Sequence, residues 1–161
     1  YFKNFSGLKN YIEETKKNAR ESGWTETLFG RRRYFSEINS SAGFLQKEAE
    51  RMAVNMPIQG TSADFIKLAM VKVDKALEES GLKGKVFMLL QIHDELLFEV
   101  KNDAVRETVP IIKKAMESVY PLKNEDSELI AEQYKKLKLP ELPIEVNVEI
   151  GDNWEEMEVV K

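Results

Sequence analysis

The sequence predicts an α+β fold in which an antiparallel sheet packs against several amphipathic helices. Three observations carry that prediction. Two apolar runs, 86–90 and 96–100, flank the short polar stretch QIHDE (91–95) and read as the strands of a hairpin. Residues 144–150 alternate strictly, with Ile144, Val146, Val148 and Ile150 directed to a core and Glu145, Asn147 and Glu149 to water. Elsewhere, apolar residues recur at helical spacing.

The composition sets bounds. A chain of 161 residues is one domain or part of a larger one, and 42% hydrophobic with 32% charged residues is enough to build a core. Because the chain contains no cysteine, disulfides, thiolate metal sites and a Cys nucleophile are excluded, and a reducing compartment fits. No apolar run approaches the roughly 18 residues of a membrane span, and no leader is read, so a cytoplasmic location is expected, nucleoid-associated if the source is bacterial. The first residue is Tyr1 rather than Met, which suggests a piece of a longer polypeptide. The net charge of -4 is unevenly spread: residues 1–60 carry 10 Lys and Arg against 7 Asp and Glu, and the rest 14 against 21. A polyanion would favour the first part, although chance unevenness explains the same count.

In chain order, 8–22 is a polar helix with an apolar stripe of Leu8, Tyr11, Ile12 and Thr15, stopped by Gly23. A strand over 24–29 and a turn at Gly30 lead into Arg31, Arg32 and Arg33 beside Tyr34 and Phe35. That basic turn either neutralises phosphates or is simply solvated. A polar connector, 37–43, precedes a helix over 44–56 whose stripe is Leu45, Ala49, Met52, Ala53 and Met56. Arg51, Asn55 and Gln59 recur every four residues on another face. Pro57 predicts a kink or break within 55–60. Residues 61–64 resemble a capping box for a second helix reaching Ser80, with Asp64 as a cap rather than a catalytic acid. In 85–92, Val86, Met88, Leu90 and Ile92 face one way and Phe87, Leu89 and Gln91 the other; both faces are mostly apolar, which predicts a central strand. Leu96, Phe98 and Val100 form the inner face of the return strand. Asn102 or Asp103 can cap the next helix, reaching about 120, which Pro110 either kinks or delays to Thr108. A polar stretch, 123–142, carries a small helix through Ile130, Tyr134 and Leu137.

The chemistry concentrates at the hairpin tip. His93, the single histidine, stands beside Asp94 and Glu95. Two neighbouring carboxylates repel unless a cation joins them, and Mg²⁺ prefers carboxylate oxygens, waters and substrate phosphates. An acidic turn with no ligand is the alternative.

The tip is part of QIHDELLFEV (91–100), which resembles motif C of the family A DNA polymerases, the bacterial DNA polymerase I type. TLFGRRRY (27–34), ERMAVNMPIQGT (50–61), Ala63 and Asp64 with Ile66 and Lys67, and GDNW (151–154) also resemble that family, in the same order. The resemblance covers most of 1–122 and 143–154.

The resemblance implies a piece of the polymerase region: 1–22 as the helix at the end of the fingers and 23–161 as part of the palm, with a palm-type sheet made of the hairpin 85–100 and the strand 144–150. It implies a DNA-directed DNA polymerase that extends a primer on a DNA template from deoxynucleoside triphosphates with two Mg²⁺ ions, Mn²⁺ being an alternative. Asp94 matches the metal-binding catalytic carboxylate and Glu95 its acidic neighbour of lesser role. His93, Asn55 and Gln59 match positions that contact the primer–template minor groove, Arg51 one near the template–primer junction, and Arg31, Arg32 and Arg33 a basic turn near template phosphates. Donor side chains suit the minor groove, where every correct pair offers acceptors at equivalent places. Motif A, with the second metal-binding aspartate, and motif B, which grips the nucleotide, are absent from these residues. An isolated chain is therefore expected to be inactive and to need the upstream part as a partner; 123–142 reads as an insertion. A non-catalytic DNA-binding module and the C-terminal subunit of a naturally split polymerase are the alternatives.

Overall fold

A computed structural model describes residues 5–120 and 143–160. The predicted helix at 130–137 and the insertion at 123–142 lie outside the described residues. The α+β class holds, with three α-helices and small antiparallel sheets among the described residues. The chain divides into two compact units, Tyr1–Ser62 and Ala63–Lys161.

In the first unit, α1 (Ser6–Ser22) ends where the sequence places its stop. Gly23 takes φ 81°, a left-handed conformation that costs glycine nothing, and its N–H closes on the Ala19 carbonyl at 2.8 Å. β1 (Trp24–Glu26) and β2 (Arg32–Tyr34) pair antiparallel, Trp24 opposite Tyr34 and Glu26 opposite Arg32. A 3₁₀ turn, Ser36–Asn39, leads to α2 (Gly43–Glu79), whose first turns belong to this unit. The core joins Ala19, Phe35 and Ile38 to Ala49, Ala53 and Met56.

Of the two alternatives expected within 55–60, the break does not occur: α2 runs 37 residues with Pro57 inside it. A proline removes the donor to the carbonyl four residues earlier, here Ala53. The Thr25 hydroxyl donates to that carbonyl at 3.3 Å. Thr61 and Asp64 therefore lie inside a helix rather than at its start, and Asp64 is buried instead of capping.

The second unit holds the rest of α2, β3 (Val86–Ile92), β4 (Glu95–Val100), α3 (Val105–Glu117), β5 (Glu149–Ile150) and β6 (Glu158–Val159). Val73, Leu77, Leu82, Val86, Ala104, Ile112 and Ala115 form its main core, with Met88, Phe98 and Val100 packed on it. A smaller cluster joins Ile66, Ala69 and Val119 with Leu96 and Ile144. Leu96, Phe98 and Val100 thus face inward as expected.

Four sequence expectations need correction here. β3 is not a central strand; among the described residues it pairs with β4 alone, and Phe87 and Leu89 are about half exposed, at 48% and 49%. The pairing also shifts register between Met88 and Leu90, so that Met88 faces Phe98 while Gln91 faces Leu96. The one-residue bulge takes Leu90, about half exposed, off the face shared by Val86 and Met88, while Ile92 stays half-buried and Gln91 is exposed. α3 starts at Val105 without a side-chain cap and runs through Pro110; Asp103 instead meets Lys85 at 2.8 Å. Finally, the strand expected over 144–150 shrinks to β5, which pairs with β6 and not with the hairpin. Ile144, Val146 and Val148 keep the predicted alternation of burial. That alternation specifies which side chains are covered, but it leaves open which backbone completes the ladder.

Candidate nucleic-acid and metal site

The tip of the β3–β4 hairpin is a two-residue turn, His93–Asp94, closed by the pair Ile92 and Glu95. Tight hairpin turns need positive φ at their centre, which Asn, Asp and His tolerate better than other side chains. His93 sits at φ 52° and is the single non-glycine residue with positive φ among the described residues. The Gln91 amide donates to the His93 carbonyl at 2.6 Å, an exposed hydrogen bond that closes over the turn. His93, Asp94 and Glu95 are all exposed. Two carboxylates adjacent in sequence are therefore open to solvent at the end of a strand pair anchored by Val86, Met88, Phe98 and Val100. Among the described residues no group of three or more His, Asp and Glu side chains comes together. The tip supplies a carboxylate pair of the kind that completes a Mg²⁺ shell with waters and phosphates.

In the first unit, Arg51, Asn55 and Gln59 lie along one face of α2, Arg51 and Gln59 exposed and Asn55 half-buried. A groove of about 440 Å³ runs beside them, lined by Lys16 and Ile12 of α1 and by Lys47, Arg51, Val54 and Asn55 of α2. Under it lies Glu50, buried and held by a hydrogen bond from Arg20 and by Lys16 at 3.6 Å. The Arg20 hydrogen bond, assisted by the charges of Arg20 and Lys16, holds the Glu50 carboxyl below its ordinary value against the opposing effect of burial. This pairing fastens α1 to α2 and leaves Lys47 and Arg51 on the exposed helix face.

The three arginines of the turn do different things. Arg31 donates to the Gly60 carbonyl at 3.0 Å. Arg32 lies 3.9 Å above the Trp24 ring and pairs with Glu26 at 3.1 Å. Arg33 lies 5.5 Å from the Phe35 ring centre and donates to the Met52 sulfur at 3.3 Å. All three are exposed, so each guanidinium is oriented by the protein and still reachable. The structure groups the predicted residues in two sets: Arg31, Arg32, Arg33, Arg51, Asn55 and Gln59 in one unit, and His93, Asp94 and Glu95 in the other. The sequence pattern does not show that the Thr25 and Thr61 hydroxyls tie β1 and the following turn to α2, or that the Thr27 hydroxyl shapes that turn. The one signal was Pro57, whose missing N–H leaves a carbonyl in need of a donor.

Comparison with known proteins assigns the chain to a family. The chain belongs to DNA polymerase family A: the family model matches residues 1–156. It is 42% identical over 154 residues to the thermostable DNA polymerase I of Thermus caldophilus, covering 96% of this chain and 16% of that protein. To DNA polymerase I of Pseudomonas aeruginosa it is 41% identical over 156 residues, 97% of this chain and 15% of that one. It is also similar to the POL domain of Pol1 from M. smegmatis, solved in complex with DNA primer-template and dNTP, with a TM-score of 0.70 and 44% identity over 76% of this chain and 21% of that domain's chain. The chain thus spans about a sixth of the length of these curated relatives.

Proposed function

We propose that this chain carries the motif C carboxylates and a minor-groove reading row of a DNA-directed DNA polymerase, working on primer–template DNA and deoxynucleoside triphosphates. The observation that carries the reading is the exposed Asp94–Glu95 pair on a tight turn backed by a packed hairpin. Asp94 and Glu95 would hold divalent cations, Mg²⁺ or Mn²⁺, with Asp94 the principal ligand. When bound, two such ions lower the barrier to attack of the primer 3′-hydroxyl and stabilise the leaving pyrophosphate. His93, Asn55 and Gln59 donate to minor-groove acceptors near the primer end, and Arg51 lies beside the template–primer junction. Because every correct pair presents acceptors there, such donors check pair shape without reading sequence. Arg31, Arg32 and Arg33 face template phosphates, each contact adding affinity and salt dependence.

The same reading makes 1–22 the end of the fingers and 23–161 part of the palm. It also makes the chain incomplete for catalysis, since one carboxylate pair cannot place two ions and these residues carry no match to motif B. Among the described residues β3 pairs with β4 alone and leaves Phe87 and Leu89 half exposed, which supports a further strand supplied by the rest of the polymerase. Among the described residues no helix is long and apolar enough to cross a membrane.

Primer extension tests the proposal, with the chain alone and with an upstream polymerase region carrying motifs A and B. Extension is expected only from the combination, and only with Asp94 intact. Extension by the chain alone would overturn the incompleteness. A combination that stays silent with Asp94 intact, while the chain binds duplex regardless of Mg²⁺ and of Asp94→Ala, would favour a non-catalytic DNA-binding module.

A further inference from the structure

We propose that Thr61, with Gly60 beside it, is a positioning residue for Gln59, locking the turn between β1 and β2 onto the back of the α2 segment that carries the reading row. The proposal rests on the reading of Gln59 as a primer–template contact. It comes from an unusual run of bonds around Pro57. The Ala53 carbonyl, left without its helical donor by Pro57, accepts from the Thr25 hydroxyl at 3.3 Å. The neighbouring Val54 carbonyl accepts from the Tyr11 hydroxyl at 3.2 Å. The Pro57 carbonyl accepts from Thr61 Oγ1 at 2.5 Å. The same Thr61 oxygen accepts from the Leu28 backbone N–H at 2.9 Å, and the Gly60 carbonyl accepts from Arg31 at 3.0 Å. One hydroxyl thus joins the helix to the turn, and it does so two residues after Gln59.

The fit is also steric. A Cβ at Gly60 would stand 2.6 Å from the Thr27 methyl, so only glycine lets the turn sit this close. Thr27 is itself buried, and its hydroxyl accepts from the N–H groups of Phe29 and Arg31 at 3.3 and 3.2 Å, shaping the turn. On a helix, a residue two positions away points about 200° round the axis. Bonds at Ala53 and Pro57 therefore brace the side away from Asn55 and Gln59. A helix weakened by a proline beneath a recognition row would let that row shift, and a shift of about 1 Å at a reacting end costs rate heavily. The turn removes that freedom without touching DNA.

The test is primer extension from matched and mismatched primer ends, with each variant placed in the polymerase completed by the upstream region. Thr61→Val keeps the shape and removes both hydrogen bonds; it is expected to lower extension from a matched end by about tenfold to a hundredfold. It should also change the matched-to-mismatched ratio in the direction Gln59→Ala does. Thr61→Ser should restore both readouts. The double variant Gln59→Ala/Thr61→Val should lose little beyond Gln59→Ala, because both act through one contact. Gly60→Ala should resemble Thr61→Val, and adding Thr27→Ser, which deletes the opposing methyl but keeps its hydroxyl, should recover activity. If Thr61→Val fails to fold, the Gly60→Ala and Thr27→Ser pair decides alone. Gln59→Ala with an effect and Thr61→Val without one, or losses that multiply in the double variant, would overturn the positioning role and leave the primer–template reading intact. A silent Gln59→Ala would overturn both.

Discussion

The two units hold their functional residues by opposite means. In the first, the proposed reading row stands on α2, which meets α1 through small residues: Ala49 and Ala53 of α2 and Ala19 of α1 are at most 1% exposed, and polar contacts do much of the fastening. Hydroxyls of Tyr11, Thr25 and Thr61 take helix carbonyls, and Glu50 ties α2 to α1. In the second, the acidic tip stands on a strand pair whose hold is apolar, through Val86, Met88, Phe98 and Val100 against Val73, Leu77 and Ile112. On the proposed reading, donors that meet bases at fixed places gain from directional bonds, and carboxylates whose partners are cations and water need a rigid base and an open tip. The contrast predicts that each unit breaks in its own way.

The largest expected effect is chemical and confined to the tip. Asp94→Asn in the completed polymerase should reduce extension on the order of 10³-fold, the scale of losing one preorganised electrostatic group. Glu95→Gln should cost about a tenth of that on the same scale. Neither residue is buried, so the urea midpoint should stay unchanged for both. Equal losses from the two would remove the distinction between a principal and a secondary carboxylate.

Next come the cores. Leu77→Ala empties space in the second unit and should cost about 2–5 kcal/mol, read from the urea unfolding midpoint. In the first unit the sensitive direction is reversed. Ala53 is fully buried and its carbonyl is already taken by Thr25, so Ala53→Leu should overpack the site and cost about 1–3 kcal/mol. An Ala53→Leu chain as stable as the parent would break the comparison, since the small-residue contact would then have room to spare.

Much of this was legible in the sequence, for identifiable reasons. Periodicity marked α1, the hairpin and the inner face Leu96, Phe98 and Val100, because burial on one side leaves a regular trace. His93, Asp94 and Glu95 stood out because ionisable residues between two apolar strands are hard to explain as packing. Three features were hidden. Pro57 reads locally as a break, and only the distant hydroxyl of Thr25 explains how α2 passes through it. The bulge after Met88 leaves no mark in an all-apolar run, so the pattern does not reveal that Leu90 is about half exposed. The alternation of 144–150 is real in its burial from Ile144 to Val148 but fails at Ile150, which is exposed, and its ladder depends on a partner strand that pattern alone cannot name.

The smallest effect sharpens the contrast through pH. Glu50 and Asp103 both titrate below their ordinary values, Glu50 through Arg20 and Lys16 in the first unit, Asp103 through the Lys85 hydrogen bond in the second. A carboxyl whose folded value is depressed contributes stability above its unfolded value, near 4.5 for Glu50, and loses it as pH falls through the lower folded value. Glu50 has only 12% of its side chain exposed, whereas Arg20 has 44%, so solvent screens part of the pair and the contribution should be about 1 kcal/mol. Asp103 and Lys85 are open to water, at 67% and 46% side-chain exposure. Thermal unfolding between pH 7 and pH 3 should therefore flatten in Glu50→Gln and keep the parent slope in Asp103→Asn. Charge neutralisation at Glu50 also leaves Arg20 and Lys16 beside a buried amide, so Glu50→Gln should melt lower than the parent at pH 7 and converge with it at pH 3. A parent-like slope in Glu50→Gln would mean that the small-residue core, and not the ion pair beneath the groove, fastens α1 to α2.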